Sequence, residues 1–171
     1  MAPPDLPWEI IPLERGHRRD RFDCGIGALN EFLRRYARQN AEKGLGRTFV
    51  AVYPGEQVVR GYYTLSSGAV AFEALPETAR RRLPKYPVPV AHLGRLAVDR
   101  GEQGEGLGEV LLMHALHKVV SLAGEIAIYA VEVVAKNDEA RRFYEHYGFS
   151  PLVDDPHHLY LSVAAVRGAF V

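Results

Sequence analysis

The chain has 171 residues, 47% apolar and 25% charged, enough for one domain with its own core and short for two. Its one cysteine, Cys24, excludes an internal disulfide framework and a cysteine-rich zinc site, so no metal is expected. The 21 Lys and Arg balance the 21 Asp and Glu, which argues against a general nucleic-acid coat.

The zero net charge hides an asymmetry. Residues 1–100 hold 16 basic against 11 acidic side chains, a surplus of +5; residues 101–171 hold 5 against 10, a deficit of −5. Met1 to Trp8 is proline-rich and lacks the basic-then-apolar order of a signal peptide. No apolar run reaches the roughly 18 residues of a spanning helix. A single cytoplasmic domain over residues 1–171, without membrane attachment, is the expectation.

In chain order, Leu29, Phe32, Leu33 and Tyr36 recur at i, i+3, i+4 and i+7, predicting an amphipathic helix over Ala28–Gln39 with Arg34, Arg35 and Arg38 on its polar face. Thr48–Tyr53 and Gly61–Phe72 read as strands, with a turn at Pro54-Gly55. Pro76–Leu83 reads as a short helix bearing the run Arg80, Arg81, Arg82. Val88–Asp99 is a long strand and Gly106–Leu122 a largely apolar helix. Ile126–Ala135 reads as a strand buried on both faces. Asp138–Tyr147 is helical and stopped by Gly148, and His158–Val163 is a last strand. The strand–helix–strand order of the second half calls for a parallel pair.

The most informative stretch is Leu96 to Gly108, where a strand runs through a glycine-rich turn into a helix. Such a turn leaves several backbone N–H groups unpaired at the positive end of the helix, an arrangement that binds phosphate or pyrophosphate. A Walker loop fails because Glu109 follows Gly108, and a dinucleotide fingerprint from Gly104 would need glycine at 109. The spacing Gln103-x-x-Gly106-x-Gly108 is a third arrangement. A turn that binds nothing is the plain structural alternative.

That third spacing resembles the coenzyme A pyrophosphate loop of the GNAT N-acetyltransferases. Asn137-Asp138-Glu139-Ala140-Arg141-Arg142-Phe143-Tyr144, continuing to Gly148-Phe149, resembles their second signature at every fixed position. The resemblance covers about residues 48–165. It implies an α/β (α+β) GNAT fold, with a mixed central sheet flanked by helices and strands four and five splayed apart. It implies acetyl-CoA as cofactor, its pyrophosphate on Gln103, Gly104, Glu105, Gly106, Leu107, Gly108 and Glu109. Pantetheine would lie along Leu96, Ala97 and Val98, with Asn137 near the pantetheine or pyrophosphate. Tyr144 would protonate the leaving thiolate, while Phe143 and Tyr147 are read as core residues.

Phe22-Asp23-Cys24-Gly25, Gly46-Arg47-Thr48-Phe49-Val50, Gly61-Tyr62-Tyr63-Thr64-Leu65 and Leu83 to Val90 running into Leu93-Gly94-Arg95-Leu96-Ala97-Val98-Asp99 narrow the likeness. Together they resemble the acetyltransferase toxins of bacterial type II toxin–antitoxin pairs. That resemblance implies acetylation of the α-amino group of aminoacyl-tRNA, a block in translation, a ribbon-helix-helix antitoxin and a homodimer. Two alternatives stand beside it: an N-acetyltransferase for a small amine or a protein N-terminus, and a module that senses acetyl-CoA without turnover.

Attack on the thioester needs a neutral amine. An α-amino group of pKa about 8 supplies a useful neutral fraction near neutrality, whereas a lysine near 10.4 does not. His92 and Glu132 are the only strand residues nominated as a base, against the plainer reading of structural strand residues. Arg34, Arg35, Arg38 and Arg95 form a candidate phosphate path for the acceptor, against a simply solvated face. Cys24 is expected to be a buried thiol without a catalytic role.

Overall fold

The computed structural model describes residues 6–170; Met1–Asp5, in the proline-rich opening, and Val171 lie outside them. The chain divides into two compact units, one up to Ser66 with Arg95–Ala115, the other Ser67–Gly94 with the chain from Leu116 on. Two long strands, β3 (Gly61–Val70) and β4 (Val88–Val98), and the helix α4 (Leu107–Leu122) contribute to both.

In the first unit, β1 (Glu9–Pro12) pairs antiparallel with β2 (Arg47–Val52), and β2 with the start of β3, Ala51 opposite Gly61. The expected amphipathic helix is present as α1 (Gly27–Glu31), a π-helical turn (Phe32–Tyr36) and α2 (Ala37–Glu42). It buries Phe32, Leu33 and Ala37 against Phe22, Val50, Val52, Val59, Tyr62 and Ala97; Tyr36, expected on that face, is exposed, because the wider π-helical turn puts Ala37 there instead. The Tyr62 ring lies edge-on to Phe22 and stacked on Phe32, and its hydroxyl donates to Leu29 O at 2.7 Å, so a buried phenol is satisfied. Gly61 has no room for a side chain: a Cβ would sit 3.0 Å from Leu107 and 3.1 Å from both Leu111 and the Ala97 carbonyl. The first turns of α4 therefore press directly on β3.

In the second unit, β4 runs parallel to β5 (Ala130–Val134), as the strand–helix–strand order requires. The register goes from Val90 opposite Ala130 to Leu93 opposite Val133; β4 continues to Val98 while β5 ends at Val134. β5 pairs antiparallel with β7 (His158–Ser162), and β7 with the two-residue β6 (Ser150–Pro151). Parallel and antiparallel pairs together make the sheet mixed and the class α/β.

The helix α5 (Asp138–His146) starts at Asn137, whose Oδ1 accepts from Ala140 N at 2.8 Å, and carries Asp138 and Glu139 in its positive first turn. Gly148, at φ +99°, ends it. A last helix, α6 (Val163–Phe170), follows β7 directly.

Several expectations shift. The strand expected from Ile126 begins at Ala130: Ile126 is 63% exposed and follows a turn after Gly124. The Pro76 helix shrinks to the single turn α3 (Glu77–Arg80), with Pro76 as its N-cap. Strands β1 and β6 and helix α6 add to the expected elements.

Candidate active site

In the first unit the glycine-rich turn is held from below. Asp99 accepts from Gly101 N at 2.9 Å through one carboxylate oxygen and from Asp23 N at 3.0 Å through the other. Glu102 is buried, accepting from the Trp8 indole at 3.1 Å and from the Tyr53 hydroxyl, with Arg60 at 3.8 Å. Its hydrogen bond with Tyr53 is the main reason the Tyr53 phenol is raised above its usual range. Gln103 donates to the carbonyls of Val98 at 3.0 Å and Cys24 at 3.2 Å, so its side chain latches the turn. Sequence reasoning missed Glu102: only its place one residue before Gln103 could have marked it.

Gly104 and Gly106 have φ of +85° and +89°, the left-handed region. A Cβ at either would meet nothing within 4 Å, so the requirement is conformational and the space before the turn is open. The turn exposes Gln103, Gly104, Glu105 and Gly106, whereas the Leu107 side chain is 1% exposed and offers only its backbone. The first intrahelical bond of α4 is from Val110 N to Gly106 O, which leaves the amides of Leu107, Gly108 and Glu109 ahead of it. Just upstream, Ala97 is buried and Leu96 and Val98 are half-buried.

All four expected acceptor-side arginines already have protein partners. Arg34 donates to the Phe22 carbonyl, Arg35 lies 3.5 Å from Glu31, and Arg38 lies 3.4 Å from Glu42. The Arg95 guanidinium sits 3.6 Å over the Phe32 ring, a cation–π contact. Cys24 is only half-buried, a correction to the expected buried thiol: it packs at the edge of the Phe22–Tyr62 core, with its backbone N–H tied to Asn30.

In the second unit, Tyr144 is the buried aromatic of α5, 7% exposed, while Phe143 and Tyr147, expected in the core, are half-buried. Tyr144 meets Phe143 and Phe149 edge to face, with ring centroids 5.3 and 5.4 Å away. Burial raises its phenol above the usual range, so it stays protonated at neutral pH. Its hydroxyl has no hydrogen-bond partner among the described residues. Asn137 is occupied as the helix cap.

A polar chain crosses the same unit. Glu132 binds His92 through Oε1 and His158 through Oε2 at 2.8 Å; His158 Nδ1 meets Asp154 at 2.9 Å. Burial works to raise Glu132, but the two imidazole hydrogen bonds outweigh it and hold the carboxyl below its usual value. Burial works against charge on His158, but its carboxylate partners raise it above the ordinary imidazole value. The two nominated bases are thus directly bonded, with His158 as an unforeseen third member.

A turn built to present backbone amides, followed two elements later by a helix burying a protonated tyrosine, matches a known family. The Acetyltransferase (GNAT) family model matches residues 17–149. The chain belongs to that family.

It is similar to the tRNA-acetylating toxin of Mycobacterium tuberculosis (strain ATCC 25618 / H37Rv), 44% identical over 146 residues, 85% of this chain and 86% of that protein. Among solved structures, a tyrosine-to-phenylalanine mutant of KacT aligns with a TM-score of 0.92 and 30% identity, covering 96% of this chain and 100% of that one. AtaT complexed with acetyl-methionyl-tRNAfMet aligns at 0.90 and 32%, covering 96% and 99%. AtaT has also been solved in the AtaTR complex with acetyl-CoA and bound to the C-terminus of the antitoxin AtaR. As a GNAT acetyltransferase, this chain takes acetyl-CoA as its acetyl donor.

Proposed function

We propose that this GNAT enzyme is a toxin that transfers acetyl from acetyl-CoA to the α-amino group of aminoacyl-tRNA and so blocks translation. The observation that carries this reading is the 44% identity, over most of both chains, to a tRNA-acetylating toxin. The neighbour solved with an acetylated aminoacyl-tRNA supports it.

In this reading the amides of residues 103–109 hold the pyrophosphate, and Leu96, Ala97 and Val98 hold pantetheine through their backbone. Asn137 serves by starting the helix that carries Tyr144. The amine lone pair attacks the thioester carbonyl, a C–N bond forms, the amine loses one proton, the C–S bond breaks, and the Tyr144 hydroxyl gives its proton to the departing sulfur and regains one from solvent. Arg34, Arg35, Arg38 and Arg95 face the acceptor, giving up their present partners for phosphates as RNA arrives. A ribbon-helix-helix antitoxin, a homodimer and a cytoplasmic setting belong to the same reading. The neighbour AtaT with its antitoxin AtaR supports the partner.

The alternative of a small amine or protein N-terminus draws on one observation: those arginines are already partnered. Cell-free translation separates the two. Adding protein with acetyl-CoA should arrest synthesis, while protein alone should not; undiminished synthesis with both present contradicts the toxin reading.

A further inference from the structure

Building on the acetyl transfer proposed above, we infer that His92 takes the proton that the acceptor amine loses, with Glu132 and His158 as its positioning residues. His92 and Glu132 are opposite one another in the parallel register of β4 and β5. Glu132 stands in the buried run Ala130–Val133 and is 9% exposed, a depth at which a carboxylate needs partners. It has two, one imidazole on each oxygen.

Proton bookkeeping then fixes the state of each group. An ionised carboxylate only accepts, so each imidazole nitrogen facing one carries a hydrogen. His158 faces Glu132 through Nε2 and Asp154 through Nδ1, so both of its nitrogens are protonated and it is an imidazolium. Its charge offsets that of Glu132, which orients His92. His92 gives its Nδ1 hydrogen to Glu132, and the tautomer this selects has its lone pair on Nε2. No described residue bonds that nitrogen. A carboxylate fixing the tautomer of a histidine whose second nitrogen is free is the arrangement of a general base.

The surroundings leave it accessible. The His92 side chain is 37% exposed. On β3 the neighbouring position is Gly68, where even a Cβ would lie 3.8 Å from the His92 Cβ, so nothing larger than hydrogen crowds the ring from there. His92 lies on β4, the strand whose later residues Leu96, Ala97 and Val98 hold pantetheine in the reading above. The step balances: the amine nitrogen bonds the carbonyl carbon, its surplus proton moves to His92 Nε2, and the thiolate leaves with the Tyr144 proton. Solvent later deprotonates His92 and reprotonates Tyr144.

The test measures acetyl transfer to aminoacyl-tRNA, with a polyamine in parallel, from about pH 6 to about pH 9 for wild type, His92→Gln, His92→Gly and Glu132→Gln. The α-amino acceptor contributes a limb near pH 8 in every protein, and a second, lower limb should appear only in the proteins that keep His92. His92→Gln should cut kcat about 10- to 100-fold at an unchanged KM for acetyl-CoA. Free imidazole should restore part of the His92→Gly rate, and Glu132→Gln should move the lower limb to lower pH. A His92→Gln rate within about twofold of wild type, a wild-type profile without the lower limb, or lost activity that imidazole does not rescue overturns the inference. Acetyl-CoA calorimetry on each variant separates a lost fold from a lost base; a variant that no longer binds leaves the wild-type profile to decide. If only the polyamine is acetylated, the acceptor reading above fails and the His92 comparison is made on the polyamine.

Discussion

Removing only the hydroxyl of Tyr144 separates its packing from its chemistry, because both edge-to-face contacts belong to the ring. Tyr144→Phe should lower turnover by roughly 10²- to 10⁴-fold while acetyl-CoA affinity and thermal midpoint stay near wild type. Turnover within about twofold would return Tyr144 to a packing role. Glu102 invites the opposite expectation. Glu102→Ala strips the partners from the buried Trp8 indole N–H and from the Tyr53 hydroxyl, at a cost of about 1–3 kcal/mol for the stranded indole. Chemical denaturation should show that loss together with weaker coenzyme binding. Residues of this kind were the least legible in the sequence. Tyr144 sat in a dense signature, and His92 and Glu132 stood out as polar groups inside apolar strands. Glu102 and His158 owe their roles to partners 94 and 26 residues away, Trp8 and Glu132, which no local pattern connects.

The glycine-rich turn is the element whose conformation and proposed chemistry coincide. Gly106 stands at φ +89° with open space ahead of it. Gly106→Ala should cost about 1 kcal/mol of stability through backbone strain alone. Gly106→Asp adds a carboxylate where the pyrophosphate is proposed to bind and should weaken coenzyme A by at least about tenfold in calorimetry. Equal affinity for the two variants would remove the pyrophosphate from this turn. Elements with strong periodicity or clear punctuation are readable: the Leu29–Leu33 part of the first stripe, β4, α4 and the helix between Asn137 and Gly148; Tyr36 is not, because the π-helical turn breaks the period before it. β5 was drawn too long because Ile126–Tyr129 is as apolar as the strand it precedes, and apolarity alone does not say where pairing starts. β1 and β6 have four and two residues, too few for alternation to register. α6 was hidden because Val163 closes a strand-like run and opens the helix.

At the scale of the whole molecule, the Glu132–His158 pair sets a pH window for stability. Glu132 is held below its ordinary 4.5, so its contribution is present above that value and lost as pH falls through the folded pKa. His158 is raised above its ordinary 6.5, so its contribution is complete below 6.5 and lost as pH climbs through the folded pKa. His158→Gln should therefore lower the thermal midpoint most between about pH 4.5 and 6.5, and progressively less above that range. A constant difference across pH would contradict the charged pair. The surplus of +5 in residues 1–100 bears on the acceptor: replacing Arg34, Arg35 and Arg38 by Ala should weaken tRNA binding and flatten its salt dependence, with acetyl-CoA binding unchanged. The most direct measurement incubates the protein with radiolabelled acetyl-CoA and charged tRNA and follows the label. Label on the α-amino group of aminoacyl-tRNA, accumulating far more slowly with Tyr144→Phe, is the expected result. No label on any aminoacyl-tRNA, with transfer to a small amine instead, would contradict the toxin reading.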